Sequence, residues 1–358
     1  MSAFHSLSIH STRIEARDTL IVRFAVPDDL REVFHFTQGQ YLTLRAQIDN
    51  EEVRRSYSIC SAVQDGTLEV AIKKISDGLF SNWAAQHLQA GVPIDVMPPM
   101  GKFFTPLVAE NKKHYLAFCA GSGITPIFSI IKTTLLTEPQ SRFTLVYGNR
   151  ASSTMIFRTS LSDLKDQYMD RFNFINVMTR EQQDAELFNG RINAEKCQSL
   201  CQHWINLNDI DQTFICGPEQ MTEEVASTLV KLGLDKTKIK TELFGTQAST
   251  KTRRPESVRA HSDTHCDVTV VLDGRQFTFS MEKDKQSVLE AGLSQGLDLR
   301  YSCKGGVCST CRCKVTEGKV DMDMNYALED YEIARGFVLS CQSFPATNTL
   351  TIDFDQEN

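Results

Sequence analysis

Four cysteines near the carboxyl end of the sequence have the spacing of a metal-ligand set. Cys303, Cys308 and Cys311 lie in the order C-x4-C-x2-C, and Cys341 follows after 29 intervening residues. Two adjacent glycines lie inside the first interval, where glycine can adopt positive φ and let backbone N–H groups approach the sulfurs. Such a set could form disulfides, exchange redox states or hold a metal.

The rest of the sequence argues against a disulfide framework. The first six residues, MSAFHS, contain no basic and apolar leader, and no apolar run approaches the ~18 residues of a membrane helix. We therefore expect a cytoplasmic protein that has no membrane partner. In a reducing cytoplasm, clustered cysteines among a total of eleven indicate metal binding or redox chemistry.

The cysteine spacing favours an iron–sulfur cluster over zinc. C-x4-C-x2-C with a distant fourth cysteine is typical of plant-type [2Fe–2S] proteins, in which four thiolates complete the shell. A four-cysteine zinc site is the alternative, but such sites usually use two C-x2-C pairs, and Cys341 stands alone. Cys313 lies outside the spacing, so we exclude it from the ligand set.

Composition bounds the fold class. The chain of 358 residues is 41% hydrophobic and 23% charged, which is ordinary for a globular protein of two or three domains. Its formal net charge of -7 argues against nucleic-acid binding.

The first segment, residues 1–108, reads as a small β-barrel. Strand-like runs occur at Leu20–Phe24, Tyr41–Leu44 and Leu68–Ile72, and one helix is expected at Ser81–Leu88. This pattern predicts a barrel capped by a helix.

The second segment, residues 109–245, alternates short apolar runs with helical stretches, which predicts a parallel sheet covered by helices. The runs are Tyr115–Ala120, Phe143–Tyr147, Phe172–Met178 and Thr213–Cys216, and the helices Ile127–Leu136, Ala194–Trp204 and Met221–Leu232. Gly121, Gly123 and Thr125 follow the first run and open a helix, an arrangement that suits a phosphate group. A tight strand-to-helix turn alone would also explain both glycines.

The third segment begins after residues 246–264, which lack apolar periodicity and are expected to form an exposed linker. Residues 265–358 open with a hairpin, Val268–Leu272 and Gln276–Ser280 around Asp273-Gly274. A helix at Gln286–Leu293 then precedes the cysteine loop.

Several motifs together resemble the ferredoxin–NADP reductase superfamily, joined to a plant-type ferredoxin. The similar segments are Arg55–Ser61 (R-x-Y-S-x-x-S), Gln38–Tyr41, Gly78–Ser81, Gly121–Pro126 (G-x-G-I-T-P), Cys216–Met221 (C-G-P-x-x-M) and Cys303–Cys311. The resemblance covers the whole chain. It implies an FAD-binding β-barrel, a parallel-sheet NAD(P)-binding domain and a β-grasp-like ferredoxin domain.

The resemblance also implies a role for each site residue. Arg55, with Gly78 and Ser81, would hold the FAD pyrophosphate, and Tyr57 and Ser58 would line the isoalloxazine. Gly121, Gly123 and Thr125 would hold the nucleotide pyrophosphate, Cys216 would lie beside the nicotinamide, and Phe244 would lie over the flavin or in the core. The metal ligands are Cys303, Cys308, Cys311 and Cys341.

The choice of nucleotide depends on the end of the second strand of the nucleotide domain. Arg150 follows Tyr147-Gly148-Asn149, and no acidic residue occurs before Asp163. An arginine there suits the 2′-phosphate of NADPH, whereas an acid would bind the ribose hydroxyl of NADH. NADPH is therefore favoured and NADH is possible. An arginine that merely ends a strand is the alternative.

The implied activity is a reductase that takes electrons from NADPH through FAD, which can release them singly, to the cluster. The motifs are most similar to reductase subunits of phenylacetyl-CoA epoxidases, which implies a di-iron oxygenase component as partner in phenylacetate catabolism. Reductases of hybrid-cluster protein and of other oxygenases share the layout. Two further interpretations compete with this one: a stand-alone diaphorase-type oxidoreductase and a simple electron carrier.

An acidic stretch past the cysteine loop could be the docking face for that partner. Residues 265–358 contain 15 acidic and 9 basic residues, a net charge of -6. The acidic residues of the stretch are Asp321, Asp323, Glu329, Asp330 and Glu332. Complementary charge would speed encounter with a basic partner, although solvated surface is the simpler interpretation. The linker would let the ferredoxin domain move between its own flavin and the acceptor.

Overall fold

The computed structural model describes residues 4–244 and 264–356. They form two units, Phe4–Phe244 and the carboxyl-terminal residues from 264. The expected linker, 246–264, lies outside the described residues apart from Thr264. Among the helices that the structure describes, none is both long and apolar enough to cross a bilayer.

The amino-terminal part of the first unit is an antiparallel β-barrel with the order β4-β3-β6-β1-β2-β5. Its elements are β1 (His5–Ala16), β2 (Thr19–Ala25), β3 (Tyr41–Ile48), β4 (Glu51–Ser58), β5 (Leu68–Lys73), α1 (Leu79–His87) and β6 (Pro93–Val96). The two edge strands meet where Ile59 bridges to Val70 and the Cys60 N–H donates to the Glu69 carbonyl at 2.9 Å. Closure leaves alternate apolar side chains facing inward.

The second part of this unit is a five-stranded parallel sheet with the order β11-β10-β7-β8-β9 and helices between successive strands. Its elements are β7 (His114–Ala120), α2 (Ile124–Thr137), β8 (Arg142–Asn149), α3 (Arg158–Gln167), β9 (Phe172–Met178), α4 (Ala194–His203), β10 (Gln212–Gly217), α5 (Glu219–Lys231) and β11 (Ile239–Leu243). The chain reverses its direction of winding between β7 and β10. This is the switch point at which open α/β sheets bind ligands.

Helix α2 fixes the barrel against the parallel sheet. The Ser129 hydroxyl donates to the Ser61 carbonyl at 2.7 Å, and the Val63 N–H donates to the Thr133 hydroxyl at 3.3 Å. Ser129 is fully buried, so its hydroxyl cannot exchange this partner for water and the hydrogen bond depends on close packing. The barrel and the sheet are therefore held in one geometry around the site between them.

The second unit is a mixed five-stranded sheet with the order β13-β12-β18-β14-β16, in which β12 and β18 are parallel. Its elements are β12 (His265–Leu272), β13 (Arg275–Glu282), α6 (Val288–Ser294), β14 (Arg312–Glu317), β15 (Val320–Met322), α7 (Asp330–Ala334), β16 (Phe337–Leu339), β17 (Ser343–Pro345) and β18 (Thr349–Asp353). Strands β15 and β17 form a separate pair. This is the β-grasp-like arrangement that we expected.

The expected elements are confirmed with small shifts at their ends. The run Phe172–Met178 is β9 with the same bounds, and the helix expected at Ser81–Leu88 begins two residues earlier, at Leu79. Helix α3 was not expected, because its sequence RTSLSDLKDQ buries only Leu161 and Leu164. Two apolar positions in ten residues give a weak helical period.

The prediction that Glu332 belongs to an exposed acidic face is wrong. Glu332 is buried rather than exposed, with its Oε1 2.9 Å from Arg312 Nε. The Arg312 guanidinium also lies 3.6 Å from the centre of the Phe337 ring. A charged group that is removed from water in this way is stabilised by its partner and is unavailable to a docking protein.

Candidate functional site

Strand β4 presents the residues of the expected flavin site. Arg55 is exposed and donates through Nη1 to the Arg54 carbonyl at 2.7 Å. Tyr57 lies on the same side of the strand and is half-buried, with its ring 5.7 Å from that of Phe80 in α1. Burial raises the pKa of Tyr57, and the nearby Arg55 charge opposes that rise only in part. The phenol is therefore neutral and can pack or donate.

The first turn of α1 is built around Gly78 and Ser81. The Ser81 hydroxyl donates to the Gly78 carbonyl at 3.3 Å and accepts from the Ile75 N–H at 3.3 Å. A side chain at position 78 would collide with Ile75 and with the Ser81 hydroxyl, so the turn requires glycine. The Phe80 contact brings this helix N-terminus beside Tyr57. A guanidinium and a helix N-terminus together fit a pyrophosphate.

The loop after β7 forms the corresponding site on the parallel sheet. Gly121 has φ of +55°, and its carbonyl accepts from the Tyr147 hydroxyl at 3.0 Å. A Cβ on Gly123 would collide with the backbone carbonyl of Cys216, so glycine lets α2 begin against β10. The Thr125 hydroxyl is occupied within the turn, where it donates to the Ser122 carbonyl at 3.1 Å. The helix N-terminus at the switch point fits a second phosphate group.

A carboxyl group that we did not select from the sequence lies between these two sites. Glu242 in β11 is aligned with Cys216 in β10, and its Oε2 accepts from the Ser58 hydroxyl at 3.5 Å. Burial raises the pKa of Glu242 to about 8, although the Ser58 hydrogen bond opposes that rise. The signal that could have identified it is its position two residues before Phe244, in the sequence Glu-Leu-Phe.

The structure thus brings together Ser58, Cys216, Glu242 and Phe244. Cys216 is fully buried, and burial raises the pKa of its thiol well above the ordinary value, with Glu242 adding to the shift. The Phe244 N–H donates to the Gly217 carbonyl at 3.4 Å, and its ring packs against the buried cluster that contains Cys216. Both shifts favour the neutral form of the thiol and of the carboxyl. The group formed by these four residues therefore favours an uncharged environment beside Ser58.

Cationic and anionic groups lie close together at the end of β8, where the sequence predicts contact with a nucleotide ribose. Arg150 is exposed, and its carbonyl accepts from the Arg180 N–H at 2.8 Å, which brings a second arginine beside it. The Glu181 carboxylate accepts from the N–H and the hydroxyl of Ser152, both at 2.6 Å. Sequence reasoning missed Arg180 and Glu181 because they belong to the neighbouring strand's loop. A cationic and an anionic side chain are therefore both present at this end of the strand.

In the second unit the four expected ligand cysteines come together in two pairs. Cys303 and Cys308 have their sulfurs 3.1 Å apart, and Cys311 and Cys341 share a hydrogen bond. Among the residues that the structure describes, no group of three or more His, Cys, Asp or Glu side chains is gathered as closely as a single bound metal ion would need. Two pairs of thiolates are the ligand set of two iron atoms.

Backbone donors surround these sulfurs. The Gly305 N–H donates to the Cys303 sulfur at 3.3 Å. The hydrogen bond from the Cys308 thiol, with those from the N–H groups of Gly305, Cys308 and Val307, lowers the pKa of Cys303, and the same bond raises the pKa of Cys308, so the pair shares a proton. A thiolate is the form that binds iron, and backbone donors at the Cys303 sulfur stabilise that form. The residues present therefore fit a [2Fe–2S] centre.

Comparisons with known proteins agree with the three sites described above. Three family models match: an oxidoreductase FAD-binding domain over residues 6–105, an oxidoreductase NAD-binding domain over 118–227, and a 2Fe-2S iron-sulfur cluster binding domain over 270–346. The chain therefore belongs to the ferredoxin–NADP reductase superfamily, in the group of oxidoreductases that carry these three domains in one polypeptide.

Two relatives and one solved structure span nearly the whole chain. One component of the 1,2-phenylacetyl-CoA epoxidase of Escherichia coli K12 is 47% identical over 99% of both chains. The ferredoxin reductase component of 3-ketosteroid-9-alpha-monooxygenase from Rhodococcus rhodochrous is 33% identical over 97% of this chain and 96% of its own. Phthalate dioxygenase reductase shares the fold, with a TM-score of 0.60, 22% identity and 98% of both chains covered.

The ligand assignment predicts different outcomes for Cys311→Ser and Cys313→Ser. Cys311→Ser should lose the cluster, whereas Cys313→Ser should keep about two iron atoms per chain, because Cys313 is a fully buried core residue outside the two pairs. Iron analysis, together with the rhombic EPR signal of the reduced protein, measures both. Loss of iron from Cys313→Ser, or native protein that carries zinc and no iron, would contradict the assignment.

The raised pKa of Glu242 predicts a pH-dependent stability. The folded protein binds this proton more tightly than the unfolded chain, so the wild type should lose stability as pH rises towards about 8. The Glu242→Gln variant has no titrating group at this position, so it should lose less stability over the same rise in pH. The difference in Tm between the wild type and Glu242→Gln should change by a few °C between pH 6 and pH 9. For a unit of this size, 1 kcal/mol of stability corresponds to roughly 2–4 °C in Tm.

The exposed Glu223 of α5 provides the control for that measurement. Glu223→Gln removes the same charge and should follow the wild-type Tm at every pH. If Glu242→Gln also follows the wild type, the Glu242 carboxyl titrates like an exposed one.

Proposed function

We propose that this chain is the reductase component of a multicomponent oxygenase. It would take electrons from NADPH and pass them through FAD and a [2Fe–2S] cluster to a di-iron oxygenase that acts on phenylacetyl-CoA. The observation that carries the proposal is the presence, in one chain, of paired cysteine ligands and a flavin–nucleotide site. The identity of the acceptor is supported by the 47% identity to a component of a phenylacetyl-CoA epoxidase.

The chain's own residues would bind and orient the cofactors. Arg55, with the first turn of α1 at Gly78 and Ser81, would hold the FAD pyrophosphate, while Tyr57 and Ser58 would line the ring system. The loop of Gly121, Gly123 and Thr125 would hold the nucleotide pyrophosphate at the start of α2. When bound, the nucleotide supplies a hydride, the flavin passes electrons on singly and the cluster accepts one at a time.

The pocket of Ser58, Cys216 and Glu242 would control charge and water where the nucleotide meets the flavin. Protonated Glu242 would hold its proton beside the Ser58 hydroxyl, and the buried Cys216 thiol would form an uncharged wall. Phe244, half-buried beside them, would exclude water from the same side. Placement of these groups is the protein's contribution to the reaction.

The cytoplasm is the proposed location. All eleven cysteines are free thiols in the structure, and four of them form the ligand pairs. A reducing compartment keeps such thiols available for iron, whereas an oxidising one would favour disulfides.

The 2′-phosphate of NADPH would bind at Arg150, and this leads to a prediction. Arg150→Ala should raise KM for NADPH on the order of tenfold, the equivalent of about 1.4 kcal/mol, and leave KM for NADH nearly unchanged. Arg142, at the opposite end of β8, gives the control Arg142→Ala, which should change neither KM. An equal rise in KM for both nucleotides would mean that Arg150 has only a structural role. A wild-type protein that uses NADH alone would favour the Glu181 carboxylate as the partner of the ribose hydroxyl.

Docking of the oxygenase component is proposed at Asp321, Asp323 and Glu329, all of which are exposed. The segment lies directly against the cluster loop, because the Tyr326 N–H donates to the Gly306 carbonyl at 3.0 Å. Negative charge at this position would steer a basic partner towards the shortest route for electrons.

The proposed function is tested by reconstitution with the oxygenase component of a phenylacetyl-CoA epoxidase. NADPH-driven epoxidation should need both proteins and should slow as salt rises, whereas flavin reduction by NADPH should change much less. Reversing the charge of Asp321, Asp323 and Glu329 to lysine should slow electron delivery in stopped-flow absorbance, without slowing cluster reduction.

A second triple variant makes the same change of net charge elsewhere in the unit. It replaces Asp267, Asp284 and Glu317, which are also exposed, by lysine, and it should deliver electrons at the wild-type rate at low salt. Equal delivery by both triple variants would mean that the acidic segment is not the docking face. Rapid turnover only with the oxygenase of a 3-ketosteroid monooxygenase would contradict the proposed acceptor.

A further inference from the structure

We propose that Gln342 is a positioning residue for the iron–sulfur cluster. Its side-chain amide holds the cysteine loop to Cys341 and supplies a donor to the Cys341 sulfur. Its Nε2 lies 2.9 Å from the Lys304 carbonyl, 3.1 Å from the Cys341 carbonyl and 3.5 Å from the Cys341 sulfur. One amide therefore joins the two segments that carry the outer members of the ligand set. This inference rests on the cluster of the proposed function, and not on its nucleotide or acceptor.

The loop needs such a tie because Lys304 has an unfavourable backbone conformation. Its φ is +52°, in the left-handed region that a residue with a Cβ seldom adopts. This conformation turns the next N–H, that of Gly305, towards the Cys303 sulfur at 3.3 Å. The Gln342 amide donates to the Lys304 carbonyl and so holds the peptide that contains this donor.

The backbone of Gln342 is itself fixed from the other side. Its carbonyl accepts from the Asp323 N–H at 2.9 Å, so the glutamine also contacts the segment proposed for docking. Gly306 completes the contact: a Cβ there would lie 3.3 Å from Gln342 Cγ and 3.0 Å from the Met324 carbonyl. The half-buried Gln342 side chain therefore lies between the cluster loop and the segment that contains Asp323 and Met324.

Two consequences can be separated by measurement. Holding the Lys304 carbonyl keeps the loop closed, which slows loss of the cluster. Donating an N–H towards the Cys341 sulfur favours the reduced cluster, because that state carries more negative charge on its sulfurs. The Gly305 N–H, which the tie to Lys304 holds at the Cys303 sulfur, acts on the potential in the same direction. A Gln342 side chain that only fills space beside the loop would leave the reduction potential unaltered.

The experiment compares Gln342→Leu, Gln342→Glu and the wild type in the full-length protein loaded with flavin and cluster. The cluster is reduced with dithionite and followed by EPR at a series of fixed potentials, so neither the nucleotide nor the oxygenase is involved. Gln342→Leu should lower the equilibrium constant for cluster reduction about tenfold, which is about 59 mV for one electron. Gln342→Glu should lower it at least as much, because an ionised carboxylate replaces the donor.

Gln276→Leu provides the matched control, because Gln276 is exposed on β13, at the far edge of the sheet from β14. It should keep the wild-type potential. The proposal is overturned if Gln342→Leu has the control's potential, even if its cluster is lost faster. If Gln342→Leu fails to take up iron, the near-isosteric Gln342→Glu is measured instead. An unaltered reduction potential in Gln342→Glu would also contradict the proposal.

Discussion

Packing of the barrel against helix α2 is the contact on which the flavin–nucleotide site depends. Ser58 is the last residue of a barrel strand and Glu242 belongs to the far edge of the parallel sheet, so their hydrogen bond exists only if the two layers keep one relative position. The buried Ser129–Ser61 bond and the Val63–Thr133 bond set that position. A small rotation at α2 would separate the hydroxyl from the carboxyl and admit water between them.

The two units control charge by different means. In the first, burial raises the pKa of the Glu242 carboxyl and of the Cys216 thiol and so favours their neutral forms. In the second, negative charge is stabilised by backbone N–H groups that point at the Cys303 sulfur. Hydride transfer and thiolate ligation need opposite electrostatics, and the fold supplies them in separate units.

Contiguous motifs were the part of the site that sequence could predict. The glycines at 121 and 123 and the cysteines at 303, 308 and 311 are defined by local spacing, because each must satisfy a turn or a ligand shell within a few residues. Cys341 was added because the known pattern includes one distant cysteine. Glu242 and the Arg312–Glu332 pair could not be found in that way. Their roles depend on strand register and on packing between segments that are distant in sequence, for which a single sequence carries little signal.

The fold shows the same division. Strands β2, β5 and β9 have periodic or continuous apolar sequences and were expected, as was the alternation that gives the parallel sheet. Strand order in the barrel and the short strands β15, β16 and β17 were not, because three-residue strands depend on their partners rather than on their own composition.

The central claim is that one chain carries electrons from a nicotinamide nucleotide through flavin to its own cluster. The most direct test is an anaerobic titration of the protein alone with NADPH, followed by absorbance for the flavin and by EPR for the cluster. The account predicts that NADPH bleaches the flavin and produces the rhombic cluster signal without any second protein. Bleaching of the flavin with a cluster that stays oxidised until dithionite is added would contradict it.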